Sequence, residues 1–429
     1  MERKIDSYLL DWQLDIKKKP LVLYGNKQVG KTYSAISFGI KAYKNMAYFN
    51  ALQNEELLKL SKENKLDKII SGLSILSGET ILEGDSLIII DNVETNDYVH
   101  MLELFAENTK YHIIFILSLR DVLRNFKTKK ATFKAMTSVD FEEYLNFTGN
   151  AQLIHYIRNA YKNNKAMPFH KMALDLFEEY LLTGGMPEVI AAKEEKEVLN
   201  NAYYSKILDV YKKEVLSKDN LISAQRGLEV LNIIPLQLLK DNKKFQYTLI
   251  KEGARSKDYD DVINNLYDNG FIYKSYKVTD AVWPLTTSKD KNSFKLYLND
   301  TGLLKYMLHI NKKKYYLNPE IAPVLIENYL ASALINMGFS LYYYQSSGKA
   351  ELDFLVQNRH GEIVPIELQG EGKKRSKSLS QYKASFETKM AVRVGFFENA
   401  FKAGVKYVPL YAIFCLKSLE NKIDESHWK

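Results

Sequence analysis

The chain has 429 residues, 46% of them hydrophobic and 26% charged, with a formal net charge of +8. That length exceeds what one core organises, so two to four domains are expected, and the composition is that of a globular chain. A single cysteine, Cys415 in the apolar run 410–416, excludes an internal disulfide or a cysteine-based zinc site and reads as a buried thiol.

No apolar run reaches the length of a membrane span, and the first residues are charged, so the expectation is a cytoplasmic protein with no membrane partner. The seven histidines are scattered. There is no H-E-x-x-H helix and no G-x-S-x-G elbow, which removes support for metalloprotease or α/β-hydrolase chemistry. The positive charge is mostly lysine in short runs, Lys17 to Lys19, Lys127 to Lys130 and Lys312 to Lys314. Such runs are usually solvated faces; the balance permits a DNA or RNA partner, and a homo-oligomer, without requiring either.

Residues 1–20 read as a helix and connector, with Leu9, Leu10 and Trp12 as packing residues. Leu21 to Gly25 is an apolar strand that runs into Gly25-Asn26-Lys27-Gln28-Val29-Gly30-Lys31-Thr32, and a helix follows from Tyr33 to Tyr43. The order is strand, phosphate loop, helix. Gly25 and Gly30 allow the tight turn that points consecutive N–H groups at phosphate oxygens. Lys31 supplies charge to the β- and γ-phosphates, and the Thr32 hydroxyl supplies a Mg²⁺ ligand. The helix N-terminus adds its positive dipole end. Residues 25–33, Tyr33 included, are therefore expected to line a nucleotide, with ATP and Mg²⁺ as cofactors.

Ala47 to Asn50 reads as a second strand and Glu55 to Ile70 as an amphipathic segment. Ser86 to Glu94 contains four consecutive apolar residues, as a strand buried on both faces requires. Asp91 falls at its C-terminal end, where open α/β sheets bind ligands; it is expected to hold Mg²⁺ opposite Thr32. A buried strand ending in a capping Asp is the plainer alternative. Ile113 to Ser118 is a further buried strand. Ser118 is placed to sense the γ-phosphate and Arg120 follows it, although both are also ordinary strand-end polar residues. Strands alternating with helices up to residue 150 give an α/β, doubly wound P-loop NTPase core at 1–150.

From 151 to 215 the pattern is helical, broken at Leu182 to Glu188 by two glycines and a proline. Residues 216–315 read as a smaller α/β unit: a helix Asp258 to Asn269, stopped at Gly270, then strands at 271–273 and 294–298. That is a winged-helix-like arrangement, a type of module that either binds DNA or connects domains.

In 316–429, Glu351 to Val356 and Glu362 to Gln369 fold as a hairpin centred on His360. Asp353 then opposes Glu367, and Glu351 opposes Gln369. Leu352, Phe354, Val356, Val364, Ile366 and Leu368 share the other face. Paired carboxylates on adjacent strands suit a divalent-metal site for phosphodiester cleavage, and an exposed acidic sheet face is the alternative.

With these residues in hand, the chain resembles a family of prokaryotic AAA-type ATPases that end in a restriction-endonuclease-like domain. The likeness rests on 19–32, Ser138 to Leu145, Leu182 to Glu188, Phe294 to Leu304, Glu327 to Tyr329, Glu351 to Phe354 and Lys377 to Leu379. It implies an ATPase core, a helical lid at 151–215, a winged-helix-like domain at 216–315 and a nuclease-like domain at 316–429. It further implies that the Gly185-Met186-Pro187 block lies against the base, and that Glu327, Asp353 and Glu367 hold a metal with Gln369 beside them. Two departures stand out. Asn92 occupies the position where the family usually has a glutamate that orients or deprotonates the attacking water, with Glu94 the nearest substitute. Gln369 replaces a lysine. An amide is no useful base, and a neutral side chain stabilises no developing charge, so slow ATP hydrolysis and weak or absent nuclease chemistry are expected.

Overall fold

The computed structural model describes residues 2–52, 54–119, 126–194, 201–216, 220–311, 318, 320–346, 350–370 and 377–421. Arg120 and the run Lys312 to Lys314 lie outside the described residues. The chain divides into two compact units, Met1–Val139 with Asp268–Gly270, and Asp140–Tyr267 with Phe271–Lys429.

The first unit contains α1 (Lys4–Leu14), β1 (Leu21–Gly25), α2 (Lys31–Ala42), β2 (Asn45–Asn50), α3 (Glu55–Leu60), α4 (Leu66–Ser77), β3 (Ser86–Val93), α5 (Val99–Glu107), β4 (His112–Ser118) and β5 (Thr132–Met136). The strands form one parallel sheet in the order β2-β3-β4-β1-β5. Leu87 to Ile90 and Ile113 to Phe115 are wholly buried because both sheet faces are covered. Ile5, Leu9, Trp12, Ala35 and Phe38 pack on one face, and Leu57, Leu73, Met101, Leu102 and Phe105 on the other. Each buried Leu, Ile, Phe or Met side chain among these contributes on the order of 1.5–3 kcal/mol. The doubly wound expectation holds. Leu10, expected in the core, is half exposed, since it falls on the outer side of α1 between Leu9 and Trp12. The segment read as one amphipathic run from Glu55 is two helices, broken at residues 61–65.

The second unit opens with helices α6 (Phe141–Phe147), α7 (Ala151–Asn163), α8 (His170–Thr183), α9 (Pro187–Glu194), α10 (Asn201–Leu216), α11 (Leu221–Leu238) and α12 (Ser256–Asp268). After β6 (Ile272–Val278), β7 (Lys289–Leu298), α13 (Thr301–Met307) and α14 (Ile321–Asn336) come β8 (Tyr342–Gln345), β9 (Glu351–Gln357), β10 (Ile363–Gln369), α15 (Ser378–Ser385), β11 (Ala391–Gly395), β12 (Ala400–Lys402) and β13 (Val405–Pro409). These strands make a mixed sheet in the order β12-β13-β11-β10-β9-β8-β6-β7. The pair read as a two-stranded wing, β6 and β7, is an antiparallel hairpin at the edge of this sheet, where β6 also pairs in parallel with β8. Sequence patterning shows a hairpin but not which third strand joins it. Cys415 is half-buried rather than buried.

Candidate functional site

The phosphate loop leaves β1 at Gly25, whose φ is +152°; a Cβ there would collide with the carbonyl oxygen of Met136 on β5. Gln28 and Gly30 are also left-handed, at +67° and +90°, and Gly30 caps α2. Two backbone reversals in three residues turn the chain back onto the helix start, where N–H groups and the dipole favour an anion. Lys31 lies across the loop, its Nζ donating to the carbonyl oxygens of Gly25 and Asn26 at 3.0 and 2.7 Å. Val29 is buried, and its carbonyl accepts from the buried Arg3 guanidinium at 3.1 Å. Asn26 is buried, Lys27 is half-buried, and Tyr33 on the first turn of α2 is exposed.

Asp91 reaches the loop. Its Oδ2 accepts from the Thr32 hydroxyl at 2.7 Å and from the Tyr48 hydroxyl at 3.0 Å, while Oδ1 accepts from the Asn92 N–H at 2.7 Å. The ladder between β3 and β4 shifts between Ile90 and Val93, and Asn92 has φ +57°. This bulge re-aims Asp91, and an Asn tolerates the left-handed position better than most residues. The Asn92 amide donates to Asn50 Oδ1 at 3.2 Å. Burial, then the charge and hydrogen bond of Asp91, push the Tyr48 phenol up to about 12, so it remains a donor at neutral pH. Ser118 ends β4 as the register partner of Gly25. A hydroxyl and a carboxylate oxygen at this spacing are hard donors of the kind Mg²⁺ takes. Sequence reasoning missed Tyr48 and Asn50, although the strand at 47–50 alternates and so aims both the same way.

Pro187 begins α9 in the second unit. The turn before it is tied to Asp300, whose Oδ2 accepts from the Gly185 N–H at 2.6 Å; Met186 is buried, and a Cβ on Gly184 (φ +75°) would strike that carboxylate. These contacts tie the turn to the segment Asp300 to Gly302. Among the lysine runs, Lys130 pairs with Glu107 at 3.0 Å and Glu103 at 3.7 Å, which fits a solvated face.

The acidic residues expected to form a metal centre are arranged otherwise. The hairpin register is the expected one, with Val364 opposite Val356 and Ile366 opposite Phe354. On its other side, however, β9 carries an extra residue: Tyr342 pairs with Leu355 and Tyr344 with Leu352. Leu352 and Leu355 consequently pack into the same cluster, and Asp353 and Phe354 both turn away from it. Phe354 meets Tyr297, ring centroids 5.7 Å apart. Glu367 faces the other way, paired with the buried Arg393 of β11 at 2.6 Å; Arg393 also donates to the Tyr407 hydroxyl at 3.1 Å. Asp353 and Glu367 thus lie on opposite faces of the sheet, against expectation, and the six apolar residues do not share one face. Gln369 ends β10 opposite Gly395. Among the described residues no group of three or more His, Cys, Asp or Glu side chains is placed to hold a metal.

On the Asp353 side two ammonium groups fill the space between carboxylates. Glu327 of α14 takes Lys243 on Oε2, and on Oε1 the Tyr297 hydroxyl at 2.7 Å and Lys295 at 3.8 Å. Lys295, buried on β7, also reaches Glu351 at 2.7 Å and lies over the Tyr343 ring at 4.8 Å. Burial alone would raise the Glu327 pKa; the charges of Lys243 and Lys295 hold it low. Burial and the Glu327 charge push the Asp353 carboxyl up to about 6, against Lys295 and the Leu368 N–H, which donates to it at 2.7 Å. Two cations match Glu327 and Glu351 and leave Asp353 as the odd carboxylate. A raised folded-state pKa means that stability falls as pH rises from about 4 to 6, by on the order of 2–3 kcal/mol. Asp353→Asn, which keeps an acceptor for Leu368, is expected to lose that fall and to exceed wild type in urea-unfolding stability above pH 6.

Residues 17–145 match the family model described as an AAA domain, which makes the first unit an AAA-type P-loop domain, a nucleotide-binding fold. Residues 174–314 and 324–413 match two models described as domains of unknown function, DUF8612 and DUF4143. No curated protein matches the chain. Among solved structures, the Thermotoga maritima RuvB Holliday junction branch migration motor aligns with TM-score 0.27 and 11% identity over 63% of this chain and 89% of its own. A point variant of that motor aligns with TM-score 0.26 and 12% identity over the same shares. Scores this low mark a loose likeness. No helix among the described residues is long and apolar enough to cross a membrane.

Proposed function

We propose that the chain binds ATP with Mg²⁺ at residues 25–33 and hydrolyses it slowly. The observation that carries this is the Thr32 hydroxyl 2.7 Å from Asp91 Oδ2, at the mouth of a loop ending on a helix N-terminus. Lys31 would balance the β- and γ-phosphates, Thr32 and Asp91 would hold the metal, and bound Mg²⁺ would neutralise charge on the leaving phosphates. Asn92, held to Asn50 by its amide, can orient a water but cannot take its proton. Ser118, one strand from the loop, would contact the γ-phosphate.

In this reading nucleotide state controls the second unit, where Lys243 and Lys295 pair with Glu327 and Glu351 in the place a metal ion would take. Steady-state phosphate release tests the reading. Wild type should turn ATP over slowly, and Lys31→Ala should abolish that turnover; a rate equal in both proteins overturns it.

A further inference from the structure

We infer that Tyr48 is a positioning residue for the magnesium carboxylate, holding Asp91 in the orientation that meets the ion. The inference rests on the nucleotide reading above. β2 runs parallel to β3 with Asn50 opposite Asp91, so Tyr48, two residues earlier, points to the same side of the sheet. Its hydroxyl donates to Asp91 Oδ2 at 3.0 Å, the oxygen that also accepts from Thr32 at 2.7 Å.

The two hydroxyls are not equivalent. Thr32 would turn a lone pair toward a bound ion while its O–H still donates to Asp91, so its position is tied to the ion as well as to the carboxylate. Tyr48 has no such second duty, and together with the Asn92 N–H on Oδ1 it keeps the carboxylate plane fixed. A donor fixed on a ligating carboxylate orients it, and loss of such partners typically weakens metal affinity by about 10-fold or more. Tyr48→Phe removes only this hydroxyl from a ring that is 37% exposed, so the sheet beneath is left intact.

The test is a titration of a fluorescent ATP analogue, in EDTA and at increasing free Mg²⁺, on wild type, Tyr48→Phe and Lys31→Ala. Tyr48→Phe should match wild type in EDTA and need roughly 10-fold more Mg²⁺ for its half-maximal gain in affinity. A Mg²⁺ midpoint within about two-fold of wild type overturns the inference. So does an equal loss of affinity with and without Mg²⁺, which would make the hydroxyl a support for the loop alone. Wild type that binds no more nucleotide than Lys31→Ala in either condition overturns the nucleotide reading itself, an outcome separate from the other two.

Discussion

Glu327→Gln is expected to lower the unfolding free energy of the second unit by about 3–5 kcal/mol. The wild-type carboxylate is buried between Lys243 and Lys295, with Tyr297 donating to it. Glutamine still accepts from Tyr297, so the substitution isolates the charge. Asp353 and Glu351 then remain beside Lys295, and the cost falls on Lys243, whose ammonium loses the carboxylate it donates to; breaking a buried ion pair by removing one partner is costlier than losing a neutral hydrogen bond. A metal-binding acidic centre predicts the opposite sign. There, carboxylates repel one another without the ion, and removing one relieves the fold. Urea unfolding at pH 7 separates the two; unchanged or increased stability would contradict the ion-pair account.

Asn92→Glu is expected to raise ATP turnover by about 10-fold or more, because a positioned general base contributes typically 10²–10⁴-fold. The side chain would enter at the bulge that aims Asp91, beside the Asn50 amide. A glutamate at φ +57° carries a backbone strain of about 1 kcal/mol. That strain lowers stability rather than the chemical step, so rate per folded molecule is the quantity to compare. A variant that binds ATP normally and turns it over no faster would place the limit on hydrolysis elsewhere than at this position.

The first unit was legible because its signals are local. The glycine spacing at 25 and 30, the apolar runs at 87–90 and 113–117 and the terminal Asp91 each say which element they belong to. Tyr48 was within reach of the same logic, since it alternates with Asn50 on a strand beside Asp91. The second unit was legible in register and misleading in orientation. Strict alternation put Asp353 and Glu367 together, and one extra residue on β9 separated them. A bulge is set by the pairing of a third strand, Tyr342 to Gln345, which no two-strand pattern contains. Lys243, Lys295 and Arg393 were invisible for a related reason: a buried lysine or arginine is recognisable only once its carboxylate partner is placed beside it. The pairing of β6 with β8 was hidden for the same reason, since the expected hairpin of β6 and β7 does not show its third strand.

In the proposed site the loop 25–32 grips a triphosphate, with a magnesium ion shared by Thr32 and Asp91. Calorimetric titration of wild type and Lys31→Ala with ATP, with and without Mg²⁺, tests it most directly. Wild type should bind saturably and more tightly with Mg²⁺, and Lys31→Ala should lose binding. Equal affinity in the two proteins, or wild-type affinity indifferent to Mg²⁺, would contradict it.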